Sequence, residues 1–235
     1  MDDIMLSVLT ATRNREASLQ RLSDSLITVY PWEWIVADDS TVPLWSRRKE
    51  MMVYHPLTVG GSVAALSFVL PKCHGKYVML LADDCEVYPW TVDTAVRFME
   101  DHPSVGQGAL YVKTTSHGCH LPPWHGRLYA QFWIVLRTVG ERVGWHDPTL
   151  KHAGADNDLS SKILDAGFGV VGIPGACVKD HDVRDATHAD TTNHAQADMA
   201  LVEARWKDHK DRLTRFWEEH WKAVSGPWEC GRTHG

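Results

Sequence analysis

Short apolar runs and apolar residues at helical spacing alternate along the first hundred residues of the chain. Four runs have the length of strands, at residues 4–9, 33–37, 51–55 and 77–81. Between and after them, helical spacing is found over residues 19–26, 62–70 and 90–99. Because strands that alternate with helices are typical of a parallel, doubly wound sheet, we predict an α/β fold. Ser62, which follows two glycines, is predicted as the N-cap of its helix.

The second half of the chain alternates less regularly. We predict strands at residues 105–112, 168–171 and 176–178, a polar loop over residues 114–125, and helices at residues 128–139, 156–166 and 193–224. Gly167 follows the second of these helices and is predicted to end it. The third is long and amphipathic, so we expect it to pack on the domain that precedes it.

Acidic residues follow two of the predicted strands. The run at 77–81 leads through Ala82 into Asp83 and Asp84, and the run at 33–37 ends at Asp38 and Asp39. The carboxyl ends of parallel strands form the edge at which open α/β sheets bind their ligands. Neighbouring carboxylates repel each other, and their oxygen atoms suit a hard cation such as Mg²⁺ or Mn²⁺. Capping of the following helix is the simpler alternative for the first acid pair.

Composition narrows the class of protein. The chain has 235 residues, of which 44% are hydrophobic and 23% charged, and its net charge of −6 gives no general case for binding nucleic acid or an anionic membrane. No apolar run approaches the ~20 residues that span a bilayer. The acidic N-terminus does not resemble a secretory signal, and the five scattered cysteines form no CxxC pair. These features favour a reduced, cytoplasmic protein.

Four segments in the same order resemble the motifs of the family 2 glycosyltransferases, enzymes with the GT-A nucleotide-sugar fold. The segments are LSVLTATRNRE, WIVADDST, LLADDCEVYP, and HAGADNDLSSKILDAGF with the downstream CVKDHD. Together they cover roughly residues 4–182. The resemblance implies a Rossmann-like, mostly parallel sheet flanked by helices, with a C-terminal helical tail. It also implies a glycosyltransferase domain at residues 1–185, with a nucleotide-sugar half to about 104 and an acceptor half from 105, and an extension at 186–235.

The resemblance also implies roles for individual residues. The residues that it implies to contact the nucleotide sugar are Ala11, Thr12, Arg13, Asn14, Arg15, Asp38, Asp39, Gly61, Ser62 and Asp83. A Mn²⁺ or Mg²⁺ ion would be held by Asp84, helped by Asp83 and by His181. The catalytic base that removes the proton from the acceptor hydroxyl corresponds to Asp156, and Asp158 would orient the acceptor or the helix. A helix N-terminus lowers the pKa of a carboxylate, so a capping role competes with catalysis at both positions.

The implied reaction is metal-dependent, inverting transfer of a sugar from a nucleoside diphosphate sugar, with UDP favoured, to an acceptor hydroxyl. The acceptor stays open between a saccharide, a lipid-linked sugar, a protein and a modified DNA base such as a hydroxymethyl pyrimidine. In the tail, six basic residues lie among aromatic ones, but six acidic residues balance them. A nucleotidyltransferase is a further alternative. So is a non-catalytic relic, because Ala82 and Ala155 stand where the family motifs have acids.

Overall fold

The computed structural model describes residues 4–46, 48–55, 61–114 and 118–225, with only the backbone for 187–193. The strands are β1 (Leu6–Thr12), β2 (Trp32–Asp38), β3 (Met51–Tyr54), β4 (Tyr77–Leu80), β5 (Cys85–Val87), β6 (Val105–Lys113), β7 (Pro123–Trp124), β8 (Arg127–Leu128), β9 (Trp133–Leu136) and β10 (Gly169–Asp180). The helices are α1 (Glu16–Ser25), α2 (Ser62–Val69), α3 (Thr91–Asp101), α4 (Arg137–Val143), α5 (Ala155–Asp165), α6 (Ala186–Trp206) and α7 (Lys210–His220).

Eight of these strands form one sheet in the order β3-β2-β1-β4-β9-β6-β10-β5. The strands β3, β2, β1 and β4 are parallel to one another, and β6 and β10 pair in parallel. Strand β9 runs antiparallel between β4 and β6, and β5 pairs antiparallel with β10 at the edge. The predicted α/β fold with a mostly parallel sheet is therefore confirmed. The short β7 and β8 form a separate hairpin.

The core lies on both faces of the sheet, because successive side chains of a strand point to opposite faces. In β1, Val8 packs on the face covered by α1 and α3, whereas Leu9 packs on the face covered by α2 and α5. The same alternation places Met79 and Val78 of β4 on opposite faces. Burial on both faces explains why these strands are continuous apolar runs in the sequence.

The prediction of a helix at residues 128–139 is wrong. This segment instead contains Leu128 at the end of β8, the whole of β9, and the start of α4. Strand β9 inserts between β4 and β6, where Met79 pairs with Ile134 and Ala109 with Trp133. A short apolar run has no periodicity that separates a buried strand from a buried helix. The pairing with strands distant in sequence decides the conformation.

Other element boundaries also differ from the prediction. The two strands predicted between residues 168 and 178 are one strand, β10, with a register shift between Gly172 and Cys177. The single tail helix is two helices, α6 and α7, and β5 was not predicted at all. Ser62 is the first residue of α2, and the N-cap is Gly61 at a φ of 123°. Residues 115–117 of the predicted loop and residues 226–235 of the predicted extension lie outside the described part of the chain.

Helices α6 and α7 are attached to α5 and to the sheet by buried polar contacts. Arg205 and the indole N–H of Trp206 both donate to Asp158, at 2.7 and 2.9 Å. The indole N–H of Trp217 donates to the backbone carbonyl of Val170 at 2.8 Å. One carboxylate oxygen of Asp198 accepts hydrogen bonds from the three backbone N–H groups of residues 151–153. The tail therefore holds in place the loop that precedes α5.

Candidate active site

A cavity of about 350 Å³ lies at the carboxyl ends of β1 and β4, between the N-termini of α2 and α5. Most of the residues predicted to contact the nucleotide sugar line it: Ala11, Thr12, Arg13, Arg15, Asp39, Gly61, Ser62 and Asp83. The same cavity is lined by Asp84, the predicted metal ligand, and by Asp156, the predicted catalytic base. Asn14, Asp38, Asp158 and His181 do not line it. The tertiary structure thus brings together residues that are up to 145 positions apart in sequence (Ala11 to Asp156).

The pair Asp83 and Asp84 forms the acidic wall of the cavity. The hydroxyl of Thr12 donates to Asp83 at 2.7 Å. Nη1 of Arg15 donates to Asp83 at 3.1 Å and to Asp84 at 3.3 Å. Burial raises the pKa of Asp83 to about 6, although the hydrogen bond from Thr12 and the charge of Arg15 oppose this rise. The two carboxylates therefore face one shared position, which a cationic group occupies.

His181 lies at the same edge of the sheet, but its ring contacts Glu86 instead of Asp83 or Asp84. Its backbone N–H donates to the carbonyl of Asp84 at 3.2 Å, whereas Nε2 of the ring is 3.2 Å from a carboxylate oxygen of Glu86. Among the described residues, no group of three or more histidine, cysteine or acidic side chains is placed to hold a metal. The chain offers two carboxylates there, and Mg²⁺ is usually held by one or two carboxylates together with substrate phosphates. The acid pair therefore fits a divalent cation that shares its coordination with a phosphate group.

The two acids that follow β2 have different environments. Asp38 is buried and accepts hydrogen bonds from the backbone N–H groups of Ser40 and Leu44, at 3.0 and 2.8 Å. Asp39 has a side chain that is 33% exposed and lies 3.9 Å from Arg13 in the cavity wall. Asp39 is therefore available to a ligand, whereas Asp38 shapes the loop that follows the strand.

Asn14 joins the two loops at this end of the sheet. Its side-chain oxygen accepts hydrogen bonds from the backbone N–H and the hydroxyl of Thr41, at 2.9 and 3.0 Å, and its own N–H donates to Ser40 at 2.7 Å. Its backbone has a φ of 56°, in the left-handed region that asparagine tolerates better than most residues. Asn14 therefore holds the loop after β1 against the loop after β2.

Asp156 lies in the first turn of α5 and lines the cavity. The indole N–H of Trp133 donates to its carboxylate at 3.1 Å. Burial raises the pKa of Asp156 to about 7, which the hydrogen bond from Trp133 only partly opposes. The lowering expected from the helix N-terminus is thus outweighed by burial. A carboxylate of this kind can accept a proton near neutral pH.

Asp158 lies two residues further along α5 and is fully buried away from the cavity. Its carboxylate accepts hydrogen bonds from Arg205 and Trp206 and pairs with Lys162 at 2.9 Å. Its contacts are therefore those of an anchor between α5 and α6.

Several residues of the cavity wall were not predicted. His146 and His152 come from the segment between α4 and α5. Trp133, which bonds to Asp156 from behind the wall residues, comes from the unpredicted strand β9. Burial lowers the pKa of His146 to about 4, so its ring is neutral at neutral pH. Nδ1 of His152 is 3.3 Å from the hydroxyl of Ser62. Trp133 and His146 belong to none of the four family segments, whereas His152 is the first residue of the HAGADND segment, which is the signal that could have identified it.

The fold and the cavity define the class of this protein: an α/β glycosyltransferase of the GT-A type, with paired acids at the carboxyl edge of a mostly parallel sheet. The family model for glycosyl transferase family 2 matches residues 7–147. The chain therefore belongs to glycosyl transferase family 2, as its motifs predicted. No curated protein sequence matches the chain significantly. In the described part of the chain, no helix has the length and apolar character to cross a membrane.

Solved structures of glycosyltransferases share the fold. TarS residues 1–349 from S. aureus, in complex with UDP-GlcNAc, superimposes with a TM-score of 0.67 at 17% identity, covering 92% of this chain and 72% of that one. The mannosyltransferase PcManGT from Pyrobaculum calidifontis, in complex with GDP-Man and Mn²⁺, gives 0.61 at 15% identity, covering 91% and 73%. GalNAc-T7, with UDP, GalNAc and Mn²⁺, gives 0.66 at 15% identity, covering 93% and 55%. The chain spans 43% of the longer TarS structure.

Proposed function

We propose that this glycosyltransferase moves a sugar from a nucleoside diphosphate sugar, with UDP as the favoured nucleotide, to an acceptor hydroxyl, with inversion at the sugar carbon. The observation that carries the proposal is the arrangement of acids around one cavity. Asp39, the pair Asp83 and Asp84, and Asp156 all line it. Such a set supplies a hydrogen-bond acceptor for the nucleoside, ligands for a cation on the diphosphate, and a base for the acceptor hydroxyl. The nucleotide-sugar complexes of TarS and PcManGT support a donor of the same class.

The donor would lie against the ends of β1 and β2. Asp39 can accept hydrogen bonds from the base or the ribose because its carboxylate is partly exposed in the cavity wall. Gly61 allows the start of α2 to approach the loop before α5, since a Cβ at this position would lie 2.4 Å from the carbonyl oxygen of Lys151. The cavity is thereby closed on the side formed by Gly61, Ser62 and His152. We infer that this closed side holds the sugar.

Asp83 and Asp84 would hold the Mn²⁺ or Mg²⁺ ion together with oxygens of the diphosphate. The ion, when bound, supplies positive charge that stabilises the departing diphosphate. Thr12 orients the carboxylate of Asp83 through its hydroxyl. His181 would become a third ligand only if its ring left Glu86. Asp84 is therefore the principal ligand in this proposal, and His181 contributes less.

Asp156 would act as the base on the acceptor hydroxyl. Its raised pKa makes it a stronger base than an exposed aspartate, and Trp133 holds one of its oxygens so that the other can face the acceptor. Inversion follows if the acceptor attacks from the side of Asp156 while the diphosphate departs towards the acid pair. We further propose that α6 and α7 belong to the same domain as the sheet, because Asp158 and Val170 anchor them.

A panel of nucleotide sugars tests this function. The purified protein is incubated with UDP-, GDP- and dTDP-sugars and Mn²⁺ or Mg²⁺, and both the melting temperature and the release of nucleoside diphosphate are measured. We expect one nucleotide class to raise the melting temperature and to be slowly hydrolysed without an acceptor. If no nucleotide sugar does either, the proposal is wrong. Binding without any release, with every acceptor class offered, would indicate the non-catalytic relic instead.

A second set of reactions addresses the acceptor. A saccharide, a lipid-linked sugar, a peptide and DNA containing hydroxymethyl pyrimidine are each offered with the donor identified by the panel. Three of the six basic residues of the tail, Arg205, Arg212 and Lys222, are paired with acidic residues of the protein itself, which reduces the positive charge that the tail offers to DNA. We therefore expect a hydroxyl of a saccharide or a lipid-linked sugar to be glycosylated in preference to DNA.

A further inference from the structure

Arg15 makes an unusually complete set of contacts at the acidic wall. Nη1 donates to Asp83 and Asp84, Nη2 donates to Asp185 and to the carbonyl of Val183, and Nε donates to Asp185. Only 11% of the side chain is exposed. The surrounding acids raise the pKa of Arg15 further above its ordinary value, and the hydrogen bond to Asp185 makes the largest contribution. The guanidinium is therefore always charged, and it connects the acid pair to the segment that leads into α6.

The oxygens that Arg15 contacts are those that a divalent cation would need. Nη1 reaches Oδ1 of Asp83 and Oδ2 of Asp84, and the other oxygen of Asp83 is engaged by Thr12. A guanidinium and a divalent cation repel each other, so they cannot both lie between the two carboxylates. Binding of the ion therefore requires Nη1 of Arg15 to move away.

We propose that Arg15 is the counterion of Asp83 and Asp84 in the free enzyme, and that a divalent cation displaces it only when a nucleoside diphosphate binds. This inference rests on the proposed function of the acid pair. The diphosphate brings further oxygen ligands for the ion and a new anionic partner for the released Nη1, which lines the cavity. Because the guanidinium is planar, Nη1 leaves when the whole group tilts about the contacts of Nε and Nη2 with Asp185 and Val183, and these contacts keep the group at the site. Metal and nucleotide consequently bind together, each strengthening the binding of the other.

Binding of Mn²⁺, followed by its electron paramagnetic resonance signal, tests the inference without any turnover. Mn²⁺ is titrated into the wild type and into Arg15→Met, with and without saturating UDP, at pH 8, where Asp83 is ionised. In the wild type we expect UDP to tighten Mn²⁺ binding by roughly tenfold or more. In Arg15→Met we expect Mn²⁺ alone to bind roughly tenfold tighter than to the wild type, with less further gain from UDP. GDP replaces UDP if the panel identifies a guanine nucleotide.

Arg13→Met is the matched control, because it removes the same charge two residues away in the same cavity wall without touching the acid pair. It is expected to leave Mn²⁺ binding in the absence of nucleotide within about twofold of the wild type, since Arg13 lies near Asp39 and its half-exposed charge interacts with the ion through a water-like dielectric. If Arg15→Met does not fold, Arg15→Lys replaces it: lysine cannot contact both carboxylates and Asp185 at once, so tighter Mn²⁺ binding is again expected.

Equal Mn²⁺ affinity in the wild type and in the Arg15 variant would overturn the inference, and so would a wild type that binds Mn²⁺ fully without nucleotide. These outcomes differ from a failure of the proposed function. A protein that binds no nucleoside diphosphate would fail the nucleotide panel, whereas the comparison of Mn²⁺ binding between Arg15→Met and the wild type needs no nucleotide at all.

Discussion

Replacement of Asp156 by asparagine separates the chemical role of this residue from its structural role. Asparagine has the same size and can still accept the hydrogen bond from the indole N–H of Trp133. It cannot accept a proton from an acceptor. We therefore expect donor binding to stay close to that of the wild type, while turnover falls by roughly the 10²–10⁴-fold that general base catalysis contributes.

The same substitution has a calculable effect on stability. The pKa of Asp156 is about 7 in the folded protein, against an ordinary value of 3.8. The difference of about three pH units corresponds to about 4 kcal/mol at 1.36 kcal/mol per unit, an upper limit because the cavity admits water. Below the ordinary value, both the folded and the unfolded state are protonated and no cost arises. Between the two values only the unfolded state loses its proton, so the free energy of unfolding falls as the pH rises towards 7.

Urea unfolding of both proteins between pH 4 and pH 8, together with pH–rate profiles, checks these expectations. Asp156→Asn should become progressively more stable than the wild type up to about pH 7 and keep that advantage above it. The other titrating groups, such as Asp83, are shared by both proteins and cancel in the comparison. The kcat/KM of the wild type should rise through about pH 7. A variant that keeps more than a tenth of the activity, or a stability difference that does not depend on pH, would refute the reasoning.

Three further substitutions test the other acids. Asp84→Ala should abolish transfer and remove the effect of Mn²⁺ on nucleotide binding while leaving the melting temperature within a few degrees; retention of most activity would exclude Asp84 as the principal ligand. Asp39→Ala should weaken nucleoside diphosphate binding in a calorimetric titration more than it lowers kcat at saturating donor, and an unchanged Kd would count against the placement of the nucleoside. Asp158→Asn should lower the free energy of unfolding by about 2 kcal/mol, because the buried carboxylate of Asp158 no longer makes charged hydrogen bonds with the partly exposed Arg205 and Lys162. Full stability of Asp158→Asn would show that the anchor is dispensable.

The parallel half of the sheet and the acids at its edge follow from the amino-acid sequence alone. Runs such as Tyr77–Leu80 are apolar because both of their faces are buried, and this requirement is visible in any single stretch of the chain. The acids that follow such runs must then lie at the carboxyl edge. For this reason the pattern of the chain is sufficient to place Asp39, Asp83 and Asp84 near one another.

Which of several equivalent acids face the cavity depends on the packing of the whole molecule. Asp38 and Asp39 are adjacent in sequence, and Asp156 and Asp158 lie within one turn of the same helix. In each pair one side chain, that of Asp39 or Asp156, lines the cavity. The other, that of Asp38 or Asp158, is buried and hydrogen-bonded to the surrounding protein. Burial, which is a property of the packed molecule, also reversed the expected direction of the pKa of Asp156.

Contacts between distant segments explain the remaining differences. Strand β9 was predicted as a helix because its conformation depends on pairing with two distant strands: Met79 of β4 lies 55 positions before its partner Ile134, and Ala109 of β6 lies 24 positions before its partner Trp133. The contact of Arg15 with Asp83 and Asp84 joins residues 68 and 69 positions apart, and that with Asp185 joins residues 170 positions apart. The sequence specifies the charges of these residues. Their partners follow from the order of the strands in the sheet, because that order sets which loops meet at its carboxyl edge.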